Sequence, residues 1–150
     1  MEVSTAVNIS AAEWQVMRVT WTLGQVSSQT VSEVLAKKMA WKAATVKTLV
    51  GRLVKKGALA TERDGKRYLY RPVISEQQAM DTASQVFIDQ LCAHKVGKTL
   101  LKMVQDTTLS QADIAALVTA LQEKQKTAPT EVACNCLPGD CQCAAGECNC

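Results

Sequence analysis

Six of the seven cysteines in this 150-residue chain fall in its last 17 residues: Cys134, Cys136, Cys141, Cys143, Cys148 and Cys150. They form three CxC pairs, each separated from the next by four residues. A CxC pair sets two sulfurs on one side of a short loop. Pro138-Gly139, between the first two pairs, supplies a turn that can bring the second pair opposite the first. Four thiolates arranged so suit tetrahedral Zn(II), at about 2.3 Å per Zn–S bond. The same soft sulfurs suit Cu(I), which accepts lower coordination, so bridging thiolates could hold more than one Cu(I). Loading removes thiol protons, so binding is expected to depend on pH. The first residues, Met1-Glu2-Val3-Ser4, show neither the basic nor the apolar region of a secretory signal, and no apolar run approaches a membrane span. The expected address is the cytosol, where clustered cysteines read as metal ligands rather than disulfides. A disulfide-bonded or inert tail is the plainer alternative. Cys92 lies in an expected helical apolar run and reads as a core or interface residue, and the lone His94 reads as structural or exposed rather than as a ligand.

A second set of chemistry-bearing residues is basic. Residues 1–73 hold 12 Lys/Arg against 5 Asp/Glu, a balance of +7, whereas residues 74–150 hold 5 against 9, a balance of −4. A basic N-terminal half points to a polyanionic partner, most simply nucleic acid. Aromatic residues make up 4% of the chain, too few for a base-stacking platform.

The elements that must position these residues follow from pattern. Ser10 and Glu13 form a capping box ahead of Trp14, Met17, Val19, Trp21 and Leu23, giving a first helix over 11–23 that Gly24 ends. Residues 26–30 read as a polar turn. Val31, Val34, Leu35 and Met39 mark a second helix over 30–39. A third, over 41–56, carries the stripe Val46, Leu49, Val50 and Leu53, leaving Thr45, Lys47, Thr48, Arg52 and Lys55 off it, and Gly57 stops it. Asp64-Gly65 between β-prone runs predicts a hairpin over 59–72. Ser75 and Gln78 cap a long helix over 76–94, with Met80, Ala83, Phe87 and Leu91 on one face. His94–Gly97 reads as an interruption, Leu100, Leu101, Met103 and Val104 as a short apolar segment, and Ser110 caps a last helix over 111–125. These later stripes are better buried against a second subunit than alone. A polar linker from residue 127 leads to a tail with almost no core residues, expected to be disordered without a ligand.

Three helices and a basic hairpin are the order of a winged helix-turn-helix. A protruding helix reads base edges in the major groove, and the hairpin tip, Arg63-Asp64-Gly65-Lys66-Arg67, can follow a phosphate backbone or a minor groove. The expected fold is therefore mainly α with a small β-hairpin. It comprises a winged-helix DNA-binding domain over 1–73, a helical dimerisation region over 74–126 and a Cys-rich metal-binding tail over 127–150.

Ile9-Ser10-x-x-Glu13-Trp14-x-Val16-Met17 with Trp21, then Trp41-Lys42-x-x-Thr45-Val46-Lys47-Thr48-Leu49-x-x-Arg52-Leu53-x-x-Lys56-Gly57, resembles the penicillinase-repressor (BlaI/MecI) family. That resemblance implies a homodimer on a palindromic operator, with DNA contacts from Lys42, Thr45, Lys47, Thr48, Arg52, Lys66 and Arg67. Combined with the CxC tail, the chain is similar to the CopY-type, copper-responsive branch. In that branch the Zn(II)-loaded dimer represses a copper-export operon at a TACA…TGTA inverted repeat, and Cu(I) displaces Zn(II) and releases the DNA. The resemblance makes Cys134, Cys136, Cys141 and Cys143 the ligands and a copper chaperone the donor of Cu(I). Cys148 and Cys150 extend the pattern and leave stoichiometry open. Two other functions stand beside this one: a β-lactam-type or constitutive repressor with an incidental tail, and a metallothionein-like copper buffer. An enzyme is not expected, since the chain has no nucleophile elbow, Walker loop or dinucleotide fingerprint.

Overall fold

The computed structural model describes residues 7–136, so the expectations for Cys141, Cys143, Cys148 and Cys150 lie outside the described residues. The chain divides into two compact units, 1–86 and 87–150.

In the first unit, α1 (Ala11–Leu23) starts on the expected capping box. The Glu13 N–H donates to Ser10 Oγ at 3.2 Å, and the Ser10 N–H donates to Glu13 Oε2 at 3.0 Å. Gly24 closes the helix at φ 81°, a conformation that costs a residue with a Cβ. Val16, Met17 and Val19 are buried, while Trp14 and Trp21 meet edge to face at 5.4 Å and Leu23 stays exposed.

The expected turn at 26–30 is instead β1 (Val26–Ser27) followed at once by α2 (Ser28–Met39). β1 has only two residues, too few to show alternation. It exists because the distant β3 offers it a partner edge, pairing Val26 with Tyr70. Ser27 caps α2 by accepting the Thr30 N–H. α3 (Ala43–Lys55) buries Val46, Leu49, Val50 and Leu53, the stripe read from its period. β2 (Leu59–Asp64) and β3 (Arg67–Pro72) form the hairpin, in an antiparallel sheet of order β1-β3-β2. The two-residue loop Gly65-Lys66 places Gly65 at φ 63°, as a turn with left-handed first position requires.

One ion pair ties α1 to the end of α3. Lys56 Nζ lies 2.6 Å from Glu13 Oε2 and also donates to the Asn8 carbonyl at 2.8 Å. Glu13 is 2% exposed. Burial pushes its carboxyl up, but the hydrogen bonds from Lys56 and Ser10 and the Lys56 charge outweigh that and hold it below the usual carboxylate value.

α4 (Glu76–Asp89) begins on the expected Ser75/Gln78 box and spans the division between the units. Its first turns belong to the first unit: Ala79 is buried, and Trp21 Nε1 donates to the Ile74 carbonyl just ahead of it. The division between the two compact units falls inside α4.

The second unit corrects the reading of 90–104. α4 stops at Asp89, and α5 (Ala93–Asp106) runs through His94–Gly97, so the interruption begins four residues earlier than expected. Gly97 inside a helix costs roughly 1 kcal/mol against Ala, a small cost to a helix of 14 residues. No Gly or Pro marks the true break. A distant residue holds it: Asn135 Oδ1 accepts the Ala93 N–H at 2.7 Å, and Asn135 Nδ2 donates to the Leu91 carbonyl at 3.0 Å. These bonds satisfy backbone groups that the broken helix leaves orphaned. Cys92, expected within a helical run, is the half-buried N-cap of α5. α6 (Gln111–Gln125) starts on Ser110 as expected. Neither α5 nor α6 buries a residue: Leu100, Leu101, Met103 and Val104 of α5 and Ile114, Leu117, Val118 and Leu121 of α6 are 39% to 63% exposed. Among the described residues no helix is long and apolar enough to cross a membrane.

Candidate nucleic-acid interface and thiolate segment

The buried stripe of α3 fixes which face it shows to solvent. Lys42, Thr45, Lys47, Thr48 and Arg52 are all exposed, as are Lys66 and Arg67 on the wing. Lys42 is the N-cap of α3 and makes no side-chain cap bond, since an ammonium has no acceptor to offer the first N–H groups. The Thr48 hydroxyl donates back to the Ala44 carbonyl at 3.0 Å.

The structure brings three of the seven residues into one cleft. Lys47 of α3 faces Lys66 and Arg67 of the wing across about 670 Å³, with Ser28, Glu33, Tyr68 and Tyr70 among the other walls. Lys42, Thr45, Thr48 and Arg52 lie on the same helix outside that cleft. Two cationic elements flank a groove whose other walls carry hydroxyls, the Gln29 amide and the Glu33 carboxylate, so Lys47, Lys66 and Arg67 are the groups there that can neutralise phosphates. Arg67 is partly engaged, since its Nε and Nη2 both lie 3.2 Å from Asp64 Oδ2.

Sequence reasoning missed the contribution of α2. Ser27, Ser28 and Gln29 reach the cleft at the N-terminal end of that helix, where backbone N–H groups and the helix dipole favour an anion. The signal was present: Ser27-Ser28-Gln29-Thr30 directly before the Val31, Val34, Leu35 stripe is a helix-start pattern.

At the other end of the chain, Cys134 and Cys136 lie with their Cα atoms 5.6 Å apart and are paired as a disulfide. Cys136 is 6% exposed and Cys134 half-buried. The Cys136 N–H donates to Cys134 Sγ at 3.2 Å, a bond that would stabilise charge on that sulfur in a thiolate. Asn135 between them is the residue clamped to Leu91 and Ala93. Two residues before Cys134, the Val132 carbonyl meets His94 Nε2 at 2.7 Å. The segment up to Cys136 is thus docked, although the whole tail was expected to be disordered. Among the described residues no three His, Cys, Asp or Glu side chains form a metal cluster. Nothing in the sequence marked Asn135 or Val132, because their partners lie about forty positions away.

A family model described as penicillinase repressor matches residues 9–123 and ends ahead of Cys134. A protein of Latilactobacillus sakei, described as an uncharacterized 16.5 kDa protein in the ptsI 3′ region, is 47% identical over 133 residues, covering 89% of this chain and 91% of its own. The penicillinase repressor of Bacillus licheniformis is 30% identical over 115 residues, covering 77% and 90%. Among solved structures, the monomeric form of B. licheniformis BlaI with the blaP half-operator superposes at a TM-score of 0.43 with 37% identity, over 47% of this chain and 87% of that one. The chain belongs to the penicillinase-repressor family, and is a winged-helix, DNA-binding transcriptional repressor rather than an enzyme.

Proposed function

We propose that this repressor senses copper. It binds an inverted-repeat operator of a copper-export operon as a homodimer, and soft metal at its CxC pairs sets its hold on the DNA. The observation that carries the reading is the run of three equally spaced CxC pairs, a feature of this chain beyond the residues that the family model matches. Docking of the first pair supports it, since Asn135 joins that pair to the turn between α4 and α5. A change at the sulfurs is therefore felt where the helical unit begins.

The donor set fits. Cys134, Cys136, Cys141 and Cys143 would hold Zn(II) in the repressing form, with Cys148 and Cys150 as reserve thiolates for Cu(I). Cu(I) is the signal, and it favours the same sulfurs. The apolar faces of α5 and α6 support the dimer, for eight large aliphatic side chains stand uncovered on two adjacent helices. A coupling of about 1–3 kcal/mol between metal state and dimer geometry suffices for a 5- to 150-fold change in operator affinity.

The test is fluorescence anisotropy of a labelled TACA…TGTA duplex at fixed salt. Reduced, Zn(II)-loaded protein is titrated anaerobically with Cu(I). Loss of specific binding as copper is added is the expected result. Tight binding that ignores copper would assign the tail no sensing role, and metal binding without specific DNA binding would favour the buffer reading.

A further inference from the structure

We infer that the groove between α1 and α2 is a binding site for a small organic carboxylate with an apolar body. The site lies within the first unit and owes nothing to the cysteines or to metal.

The two helices enclose about 260 Å³. That is just below the roughly 300–1,000 Å³ of ordinary small-ligand pockets, so the space suits a body of a few carbons rather than a protein segment. Its floor is apolar: Val19 and Leu35 line it while almost wholly removed from solvent, and Val34 beside them is half-buried. Leu23 and Met39, the last residues of α1 and α2, line it too and stay exposed. The fold of the first unit therefore leaves apolar surface uncovered along this groove.

The charge of the groove has one sign. Arg18 from α1 and Lys38 from α2 both line it, and none of its lining residues is Asp or Glu. Both cations are exposed, and among the described residues neither has a carboxylate at ion-pair distance. The Arg18 guanidinium offers a planar fork of donors matched to a carboxylate, and the Lys38 ammonium offers a point charge. Gln15, one turn before Arg18, adds a neutral amide donor. Two cations beside an apolar floor are complementary to an anion that carries hydrocarbon. A bare phosphate would leave the floor uncovered, and a neutral hydrocarbon would leave the charges unmet. The DNA cleft is a different place, for the two share no lining residue: α2 gives Val34, Leu35 and Lys38 to the groove and Ser28, Gln29 and Glu33 to the cleft.

The test uses the full chain, reduced and with ¹³C-labelled methyl groups, titrated with hexanoate at fixed ionic strength. Saturable shifts should appear at the methyl groups of Val19, Val34 and Leu35. Hexanamide keeps the body and loses the charge, and should bind roughly 2- to 30-fold more weakly, the worth of two exposed ion pairs. Inorganic phosphate has the charge without the body and should not displace hexanoate. Arg18→Gln with Lys38→Gln should lower the affinity for hexanoate to that for hexanamide while leaving the helix signal unchanged, since both side chains are exposed. The comparison of acid and amide on the unaltered protein decides the matter even if that double variant does not fold. No saturable shift, equal affinity for acid and amide, displacement by phosphate, or shifts confined to the DNA cleft would each overturn the inference.

Discussion

Replacing Lys47 and Lys66 together by Ala should weaken operator binding through phosphate neutralisation alone. Both side chains are exposed and line one cleft, one from α3 and one from the wing. Among the described residues neither has a carboxylate at ion-pair distance, so each has a full charge to offer a phosphate. Every phosphate contact contributes about −0.9 to the slope of log affinity against log salt, so two lost contacts per half-site should flatten that slope by ~1.8. At about 0.1 M salt each contact accounts for roughly an eightfold gain by the same relation, so the pair should cost ~60-fold in affinity, about 2.4 kcal/mol. Arg67→Ala should cost less, because Asp64 already offsets its guanidinium. The assay is anisotropy of a half-site duplex across a salt series, beside a scrambled duplex. The ratio of specific to scrambled binding should hold, since phosphate contacts carry no sequence information. Lys102→Ala serves as the control: Lys102 pairs with Asp106 on α5, and its loss should leave the slope unchanged. A double variant that loses affinity at an unchanged slope would refute the assignment of these lysines to phosphates.

Lys56→Met should lower stability by roughly 2–3 kcal/mol, less than the ~3–5 kcal/mol for breaking a fully buried pair, because Lys56 itself reaches solvent. The thermal midpoint of the first unit should fall by roughly 10–20 °C. Because the folded state holds the Glu13 carboxyl below its unfolded value, the stability it adds is present above the ordinary carboxylate range and lost as pH falls through the lowered value. Glu13→Gln should therefore remove part of the acid limb of a stability–pH curve. Gly57→Ala should cost about 1–2 kcal/mol by denaturant titration, since a Cβ meets no atom there but φ is +80°. On the proposed dimer, Leu101→Glu with Leu121→Glu should shift the sedimentation coefficient to that of a monomer while leaving helix content intact, since both side chains are more than half exposed. Affinity for a palindromic duplex should then fall towards that for a half-site.

Much of the DNA unit was legible because its signals are local. The Ser10/Glu13 box, the 3.6-residue stripe of α3 and the Gly65 turn each act within a few residues, and the structure places α1, α3 and the hairpin within two residues of their expected bounds. The missed elements are those that exist only through a distant partner. β1 is two residues long and stands on its pairing with β3. The break after α4 has no Gly or Pro and is capped by a side chain about forty positions on. Gly97 drew the expected interruption because glycine punctuates local structure, yet the cost of one glycine is small against a whole helix.

Residue types and their spacing were thus sufficient to mark the family, α3 with its outward-facing Thr45, Lys47 and Arg52, and the soft side chains of the CxC pairs, because these depend on composition and short-range period. Tertiary structure alone decided which cations share a cleft, and that the start of α2 joins them. It alone set the buried Glu13–Lys56 pair and the docking of the first CxC pair, through Asn135, on Leu91 and Ala93. Each of these joins residues far apart in the chain, and such contacts follow from how packed faces meet rather than from the pattern of any one segment.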